Sequence, residues 1–125
     1  ISVGEPMPLS AGASSWILLQ SAPPEIVERV ERQLRDRRAD FTAQERIAQS
    51  IRQGYAASRG EREIGVAGVS VRIDLPDGRP VGALTFGGPT TRIGSSEAAE
   101  FAKCLQQIAP QVGEHLSTRG SVADQ

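Results

Sequence analysis

The sequence predicts an α+β domain built on antiparallel strand pairing, and three observations carry that prediction. A β-hairpin pattern lies between Gly54 and Pro89, three segments with helical patterning precede it, and one long amphipathic stretch follows it. Within the hairpin, Val66 to Asp74 alternates with a period of two, so Val69, Val71 and Ile73 share one face and Gly68, Ser70 and Arg72 the other. After a turn at Pro76-Asp77-Gly78-Arg79, Leu84 and Phe86 point one way while Ala83, Thr85 and Gly87 point the other. One face is bulky and apolar, as a surface packed on a helix should be. The other carries small side chains until Arg72, which leaves space for a closely approaching backbone or for a ligand.

Taken in order, residues Ile1 to Leu9 contain Pro6 and Pro8 and suit an extended lead-in. Trp16-Ile17-Leu18-Leu19 makes the stretch from Ala11 to Gln20 a short buried helix, closed by Pro23 and Pro24, which also open the next one. There Ile26, Val27, Val30 and Leu34 form the buried stripe, and Glu25, Glu28 and Glu31 precede Arg29, Arg32 and Arg35 by four residues, as on a solvated, ion-paired face. Thr42-Ala43-Gln44-Glu45 is a capping box for a third helix, with Ile47, Ile51 and Tyr55 recurring every four residues. Gly54 stands where a helix C-terminus favours positive φ. Ser58 to Glu63 is polar and reads as a loop before the hairpin. Ser95 or Ser96 caps the last helix, whose stripe is Ala98, Phe101, Leu105, Ile108, Val112 and Leu116. Pro110 is expected to kink or break it, and the residues after Gly120 read as a disordered tail, so the domain is placed at 1–120 and the tail at 121–125.

A chain of 125 residues suits one domain. Its apolar fraction of 38%, with three Phe, one Trp and one Tyr, is lean for a self-sufficient core, so a partner surface or further sequence is expected to complete it. A first residue other than Met agrees with an excised or processed piece of something longer. Fourteen basic against fifteen acidic residues leave no free-standing basic cluster, which argues against direct nucleic-acid binding by this segment. A single cysteine, Cys104, excludes an intramolecular disulfide, and no stretch has the length of a membrane span. A cytoplasmic location is expected.

Enzyme chemistry finds little support. Gly12-Ala13-Ser14-Ser15-Trp16 lacks the closing Gly and the preceding strand of a nucleophile elbow, although Ser14 remains the one position for an esterase-like reading. The only histidine, His115, falls near the end of the long helix, and Cys104 reads as a small buried hydrophobe with no base to activate it. One His, one Cys and scattered carboxylates give no metal-ligand spacing, and no cofactor is called for. Gly87-Gly88-Pro89 lacks the lysine and glycine spacing of a phosphate loop. What remains is the small-residue face. Ser58, Ser70 and Thr85 offer hydroxyls, Gly68 and Gly87 offer room, and Ser14 offers a hydroxyl and a helix-start N–H. These can surround a small organic molecule, or the face can be closed by tight packing.

Gly54-Tyr55-Ala56, Glu61, Gly65, Asp77-Gly78, Val81, Ala83-Leu84 and Gly88-Pro89 together resemble the C-terminal effector-binding domain of IclR-type bacterial transcriptional regulators. Pro8-Leu9, Ala13 and Thr42 extend the resemblance, which runs from Val3 to about Gly120. It implies a GAF-like antiparallel sheet with helices on one face and a ligand pocket on the other, here without the family's first strands. It further implies assembly into homodimers or tetramers and operator reading by a separate N-terminal winged helix-turn-helix.

By the same resemblance, pocket amides fall on Ala13 and Ser14, an acidic pocket position on Ser58, a cysteine-like position on Gly68, and two hydroxyl positions on Thr85 and Gly87. Apolar wall positions fall on Met7 and Val66. Ser58 in place of an acid, with Gly68 and Gly87 in place of larger polar groups, implies a roomier and less charged pocket for an organic acid or an aromatic compound. The expected role is effector sensing and oligomerisation for a DNA-binding regulator. The alternative is a GAF-like dimerisation or interaction module without a ligand.

Overall fold

A computed structural model of the chain describes residues 12–60 and 64–123. Met7, Glu61 and the Pro8-Leu9 pair lie outside the described residues. The elements follow the order α1 (Ala13–Leu18, continued by a 3-10 turn, Leu19–Ser21), α2 (Pro24–Asp36), α3 (Ala43–Gln53), β1 (Ala56–Arg59), β2 (Val66–Asp74), β3 (Pro80–Pro89) and α4 (Ser95–Ala123). The strands form one antiparallel sheet in the order β1-β2-β3. This is the α+β architecture expected from the sequence.

The hairpin register sets Val69 opposite Phe86 and Val71 opposite Leu84, so the bulky residues of both strands share a face as the alternation requires. Its connection is closed by Leu75 N–H donating to the Arg79 carbonyl and Gly78 N–H donating to the Leu75 carbonyl, each at 2.8 Å, with Gly78 at φ 93°. The Asp77 carboxylate accepts from Arg79 N–H at 3.0 Å and from its Nε at 2.8 Å. Those two bonds, the backbone one foremost, hold the Asp77 carboxyl below its ordinary value. The register slips between Ile73 and Asp74, leaving Val81 as the extra residue of a bulge.

Two helix ends are written locally. Thr42 Oγ1 accepts from Glu45 N–H at 3.1 Å to open α3, and Gly54 closes it at φ 83°. Other ends draw on distant partners. Glu31 Oε1 accepts from Ala43 N–H at 2.6 Å, so this carboxylate ties α2 to the start of α3. At α4 the N-cap is Gly94, whose carbonyl accepts from Ala98 N–H, while Ser95 and Ser96 lie inside the first turn.

The polar segment expected as a loop from Ser58 contains strand β1 instead. Ala56–Arg59 pairs with Ala67–Ser70 of β2, and the Arg59 guanidinium donates to the carbonyls of Ile93 and of Thr90, the latter at 3.1 Å. The segment is a strand because β2 offers it an edge, which its own composition does not disclose.

Helices cover both faces of the sheet, where a single covered face was expected. On the bulky face, Val69, Val71 and Ile73 pack against Ala98, Ala102, Leu105 and Ala109 of α4. On the other face, Ala13, Trp16 and Ile17 of α1 join Ala56 and Ala83 in a second core, which α2 and α3 complete with Val30, Leu34 and Ala43. The small side chains at Ala56, Ser70 and Ala83 admit α1 there. Space on the small face therefore goes to a helix over part of its length.

α4 shows why the two faces differ. Its buried row is Ala98, Ala102, Leu105 and Ala109, rotated from the stripe read in the sequence, and Ile108 and Leu116 are 46% and 42% exposed. Phe101 stands at the edge of the seam, stacked on Phe86 with centroids 4.4 Å apart. Bulky strand residues need small helix residues opposite them, so size rather than hydrophobicity selects the buried row. Cys104 consequently points outward and is exposed, contrary to the buried position expected for it. The helix runs unbroken through Pro110 and continues to Ala123, so residues 121–123 are helical rather than part of a tail. At Gly113 a β carbon would overlap the Asp74 carbonyl oxygen and lie 3.0 Å from its carbon.

Gly113→Ala should therefore destabilise the fold by about 1–3 kcal/mol, reversing the gain of about 1 kcal/mol that Gly→Ala gives in an open helix. Denaturant unfolding measures the sign. For Asp77, a carboxyl held low in the folded state adds stability above the ordinary carboxylate range and loses it as pH falls below that range, through the lowered folded-state value. Asp77→Ala should lower the urea midpoint at about pH 7, and the difference from the parent should shrink as pH falls through and then below the ordinary carboxylate range.

Candidate functional site

The positions singled out in the sequence meet mainly along one row of the sheet. Ser58 of β1, Gly68 of β2 and Gly87 of β3 are consecutive partners across the three strands. Partners in an antiparallel ladder point to the same side, here the small-residue side. A β carbon on Gly68 would sit 3.4 Å from Ser58 Oγ and 3.8 Å from the Ala13 β carbon, so the start of α1 stands against this row. Among the described residues, a β carbon on Gly87 would meet only the Ala67 carbonyl oxygen, at 3.7 Å. Neither glycine has positive φ, so their value here is room rather than backbone freedom.

The start of α1 adds backbone donors. Gly12, at φ 94°, precedes the helix without a side-chain cap, and Ala13 and Ser14 occupy its first two positions. N–H groups at such positions have no intrahelical acceptor. Ala13 is buried, whereas Ser14 is half-buried.

One step along the sheet, Ser70 pairs with Thr85, and their hydroxyls are 2.9 Å apart. Ser70 is fully buried, and its hydroxyl also reaches the Leu84 carbonyl at 3.4 Å. Thr85 is exposed. The buried serine thus orients the threonine, and the threonine is the hydroxyl of the pair that faces outward. One step the other way, Val66 lies opposite Pro89 and is exposed. Ser58, Gly68, Gly87, Ala13 and Ser14 are brought together, Ser70 and Thr85 border them, and Val66 flanks the row. Met7 lies outside the described residues.

The catalytic reading of Ser14 meets a geometric obstacle. α1 lies on the small-residue face and α4, which carries His115, on the bulky face, so the sheet separates the two side chains. Among the described residues no group of three or more His, Cys, Asp or Glu is placed to hold a metal ion. No described helix is long and apolar enough to cross a membrane.

Sequence reasoning missed a groove at the opposite end of the sheet. A groove of about 600 Å³ opens between the end of β2, the end of α3 and the Gln106–Glu114 part of α4. None of its residues is among the binding positions read from the sequence, although Arg72 ends the small-residue run. Its polar side chains come from four elements separated by up to ninety-odd positions, and no local spacing brings them together.

With this fold in view, the class is that of the C-terminal domains of bacterial transcriptional regulators. The chain belongs to the family described as bacterial transcriptional regulator IclR, C-terminal, which matches residues 1–114. A Rhodococcus protein described as an IclR-family transcriptional regulator is 32% identical with a TM-score of 0.75, over 90% of this chain and 45% of its own. The Agobacterium tumefaciens repressor BlcR shares the fold at 18% identity and a TM-score of 0.75, over 91% of this chain and 49% of its own. The inducer-binding domain of Acinetobacter PobR, solved as a double mutant with 3-hydroxybenzoic acid, shares it at 18% identity and a TM-score of 0.73, over 90% of this chain and 69% of its own. The chain thus spans about half the length of the first two regulators. No curated protein matches the sequence.

The Ser70–Thr85 pair yields a prediction that is independent of any ligand. Ser70→Ala should cost about 1 kcal/mol in urea unfolding, and Thr85→Ala less, because an exposed hydroxyl exchanges its partner for water.

Proposed function

We propose that this chain is the small-molecule effector-sensing and oligomerisation part of a DNA-binding transcriptional regulator. The observation that carries the reading is the open row Ser58–Gly68–Gly87 beside the first turn of α1. Two glycines and a serine give that row little side-chain bulk, and helix-start N–H groups supply donors for a carboxylate or a phenol. The 3-hydroxybenzoic acid held by the PobR domain is a compound of the class proposed, an organic acid with an aromatic ring. In this role Ala13, Ser14, Ser58, Gly68, Thr85 and Gly87 face the effector. Ser70 orients Thr85, and Met7 and Val66 supply apolar wall.

Sensing requires that the effector favour one arrangement of the regulator over another. The element placed to pass the change on is α1, which touches the effector row with its first residue and the α2–α3 core with Trp16 and Ile17. Operator DNA would be read by a helix-turn-helix domain elsewhere in the regulator, in a homodimer or tetramer in the bacterial cytoplasm. No catalytic role is assigned to any residue. The close approach of Ala13 to Gly68 favours a second reading, in which packing fills the face and the domain serves only association.

Thermal shift of the full-length regulator against organic acids and aromatic compounds tests the proposal. A ligand at 100 times its Kd stabilises the native state by about 2.7 kcal/mol, a rise of several degrees. Gly68→Leu and Gly87→Leu should abolish that rise and the operator response while leaving the Tm of the free protein nearly unchanged. Full effector affinity in either variant would refute the pocket. Loss of Tm in both, with no compound giving a shift, would favour the association module.

A further inference from the structure

The groove at the far end of the sheet has a chemistry of its own. Its floor is apolar, made by Ile17, Val71 and Ala109, and Ile51, 60% exposed, stands at its rim. A volume of about 600 Å³ lies within the range of about 300 to 1,000 Å³ of small-molecule pockets and is ample for a small amphipathic molecule.

Its hydrogen-bond donors are directed at acceptors of the protein. Arg72 Nε and one terminal nitrogen of Arg72 bond both oxygens of Asp74 at 2.8 and 3.2 Å, and the other terminal nitrogen reaches Gln20 Oε1 at 3.2 Å. The amide nitrogen of Gln20 donates to Ser50 Oγ at 2.8 Å, and that of Gln106 donates to the Gly54 carbonyl at 3.0 Å. The acceptors are less fully used. Among the described residues neither the Glu114 carboxylate nor Gln106 Oε1 receives a hydrogen bond. With Asp74 cancelling Arg72, Glu114 leaves the groove one negative charge.

From this complementarity we infer that the groove is a second small-molecule site, and that it takes an amphipathic amine. The hydrocarbon body lies on Ile17, Val71 and Ala109, and the ammonium donates to the Glu114 carboxylate. An anionic ligand would meet the uncompensated carboxylate and few uncommitted donors. The groove spans β2 and α4 beside the close contact of Gly113 with Asp74, so an occupant there bears on the seating of α4. Glu114 is exposed, which sets the binding in the weak, high-micromolar range.

The test is isothermal titration of the full-length regulator with 2-phenylethylamine, and with phenylacetate and 2-phenylethanol as its anionic and neutral counterparts. Saturable binding of the amine, tighter than that of either counterpart, is expected. Glu114→Gln should weaken it about fivefold. Ile51→Lys, a surface change that sets a competing cation at the rim, should weaken it further. Gly87→Leu should leave it unchanged. Overturning results are no saturable amine binding, equal or tighter binding of phenylacetate, full amine affinity in Glu114→Gln, or loss of amine binding in Gly87→Leu, which would place the amine in the effector row.

Discussion

The seam of α4 laid against β2 sets the terms for the rest of the fold. Large residues of the strand, Val69, Val71 and Ile73, meet small residues of the helix, Ala98, Ala102 and Ala109, and at Gly113 the helix comes against the backbone of Asp74. Interiors are close-packed, so bulk on one partner demands its absence on the other. Because β2 spends its bulky side chains on α4, its alternate positions are free to be Gly68 and Ser70. The small face is thus the counterpart of the seam behind it.

That small face divides along the strands. Where Ser70, Ala56 and Ala83 stand, α1 closes down and its Trp16 and Ile17 join the second core. Among the described residues, the first residue of α1 approaches at Gly68, and a β carbon on Gly87 would meet the Ala67 carbonyl oxygen at 3.7 Å. Packing and space, which began as alternatives for the whole face, hold at neighbouring rows of it. A site arranged in this way rests on rigid strands and touches one short helix, a geometry suited to turning occupancy into helix displacement.

Much of the site was legible in the sequence because hairpin register ties residues in a fixed way: once Val69 and Val71 are assigned to the bulky face, Gly68, Ser70, Thr85 and Gly87 must share the other. Ser58 could be grouped with that face as a nearby hydroxyl, but its sequence gives no register that places it there. Its segment reads as a loop, and the strand that carries it exists because β2 has an edge to pair with. The groove left no trace in the sequence, since Gln20, Arg72, Gln106 and Glu114 meet only after four elements have packed.

The sequence by itself determined the α+β class, the two faces of the hairpin, the Thr42 cap and the Gly54 stop, all of which follow from spacings of a few residues and from backbone preferences. Tertiary structure decided the existence of β1, the Glu31 contact to α3, the presence of helices on both faces, the outward turn of Cys104 and the row by which α4 is seated. Each of these depends on which surface a residue meets rather than on what stands beside it in the chain. For α4 the pattern of apolar residues offers two overlapping stripes, and only the bulk of the strand opposite selects the one made of alanines.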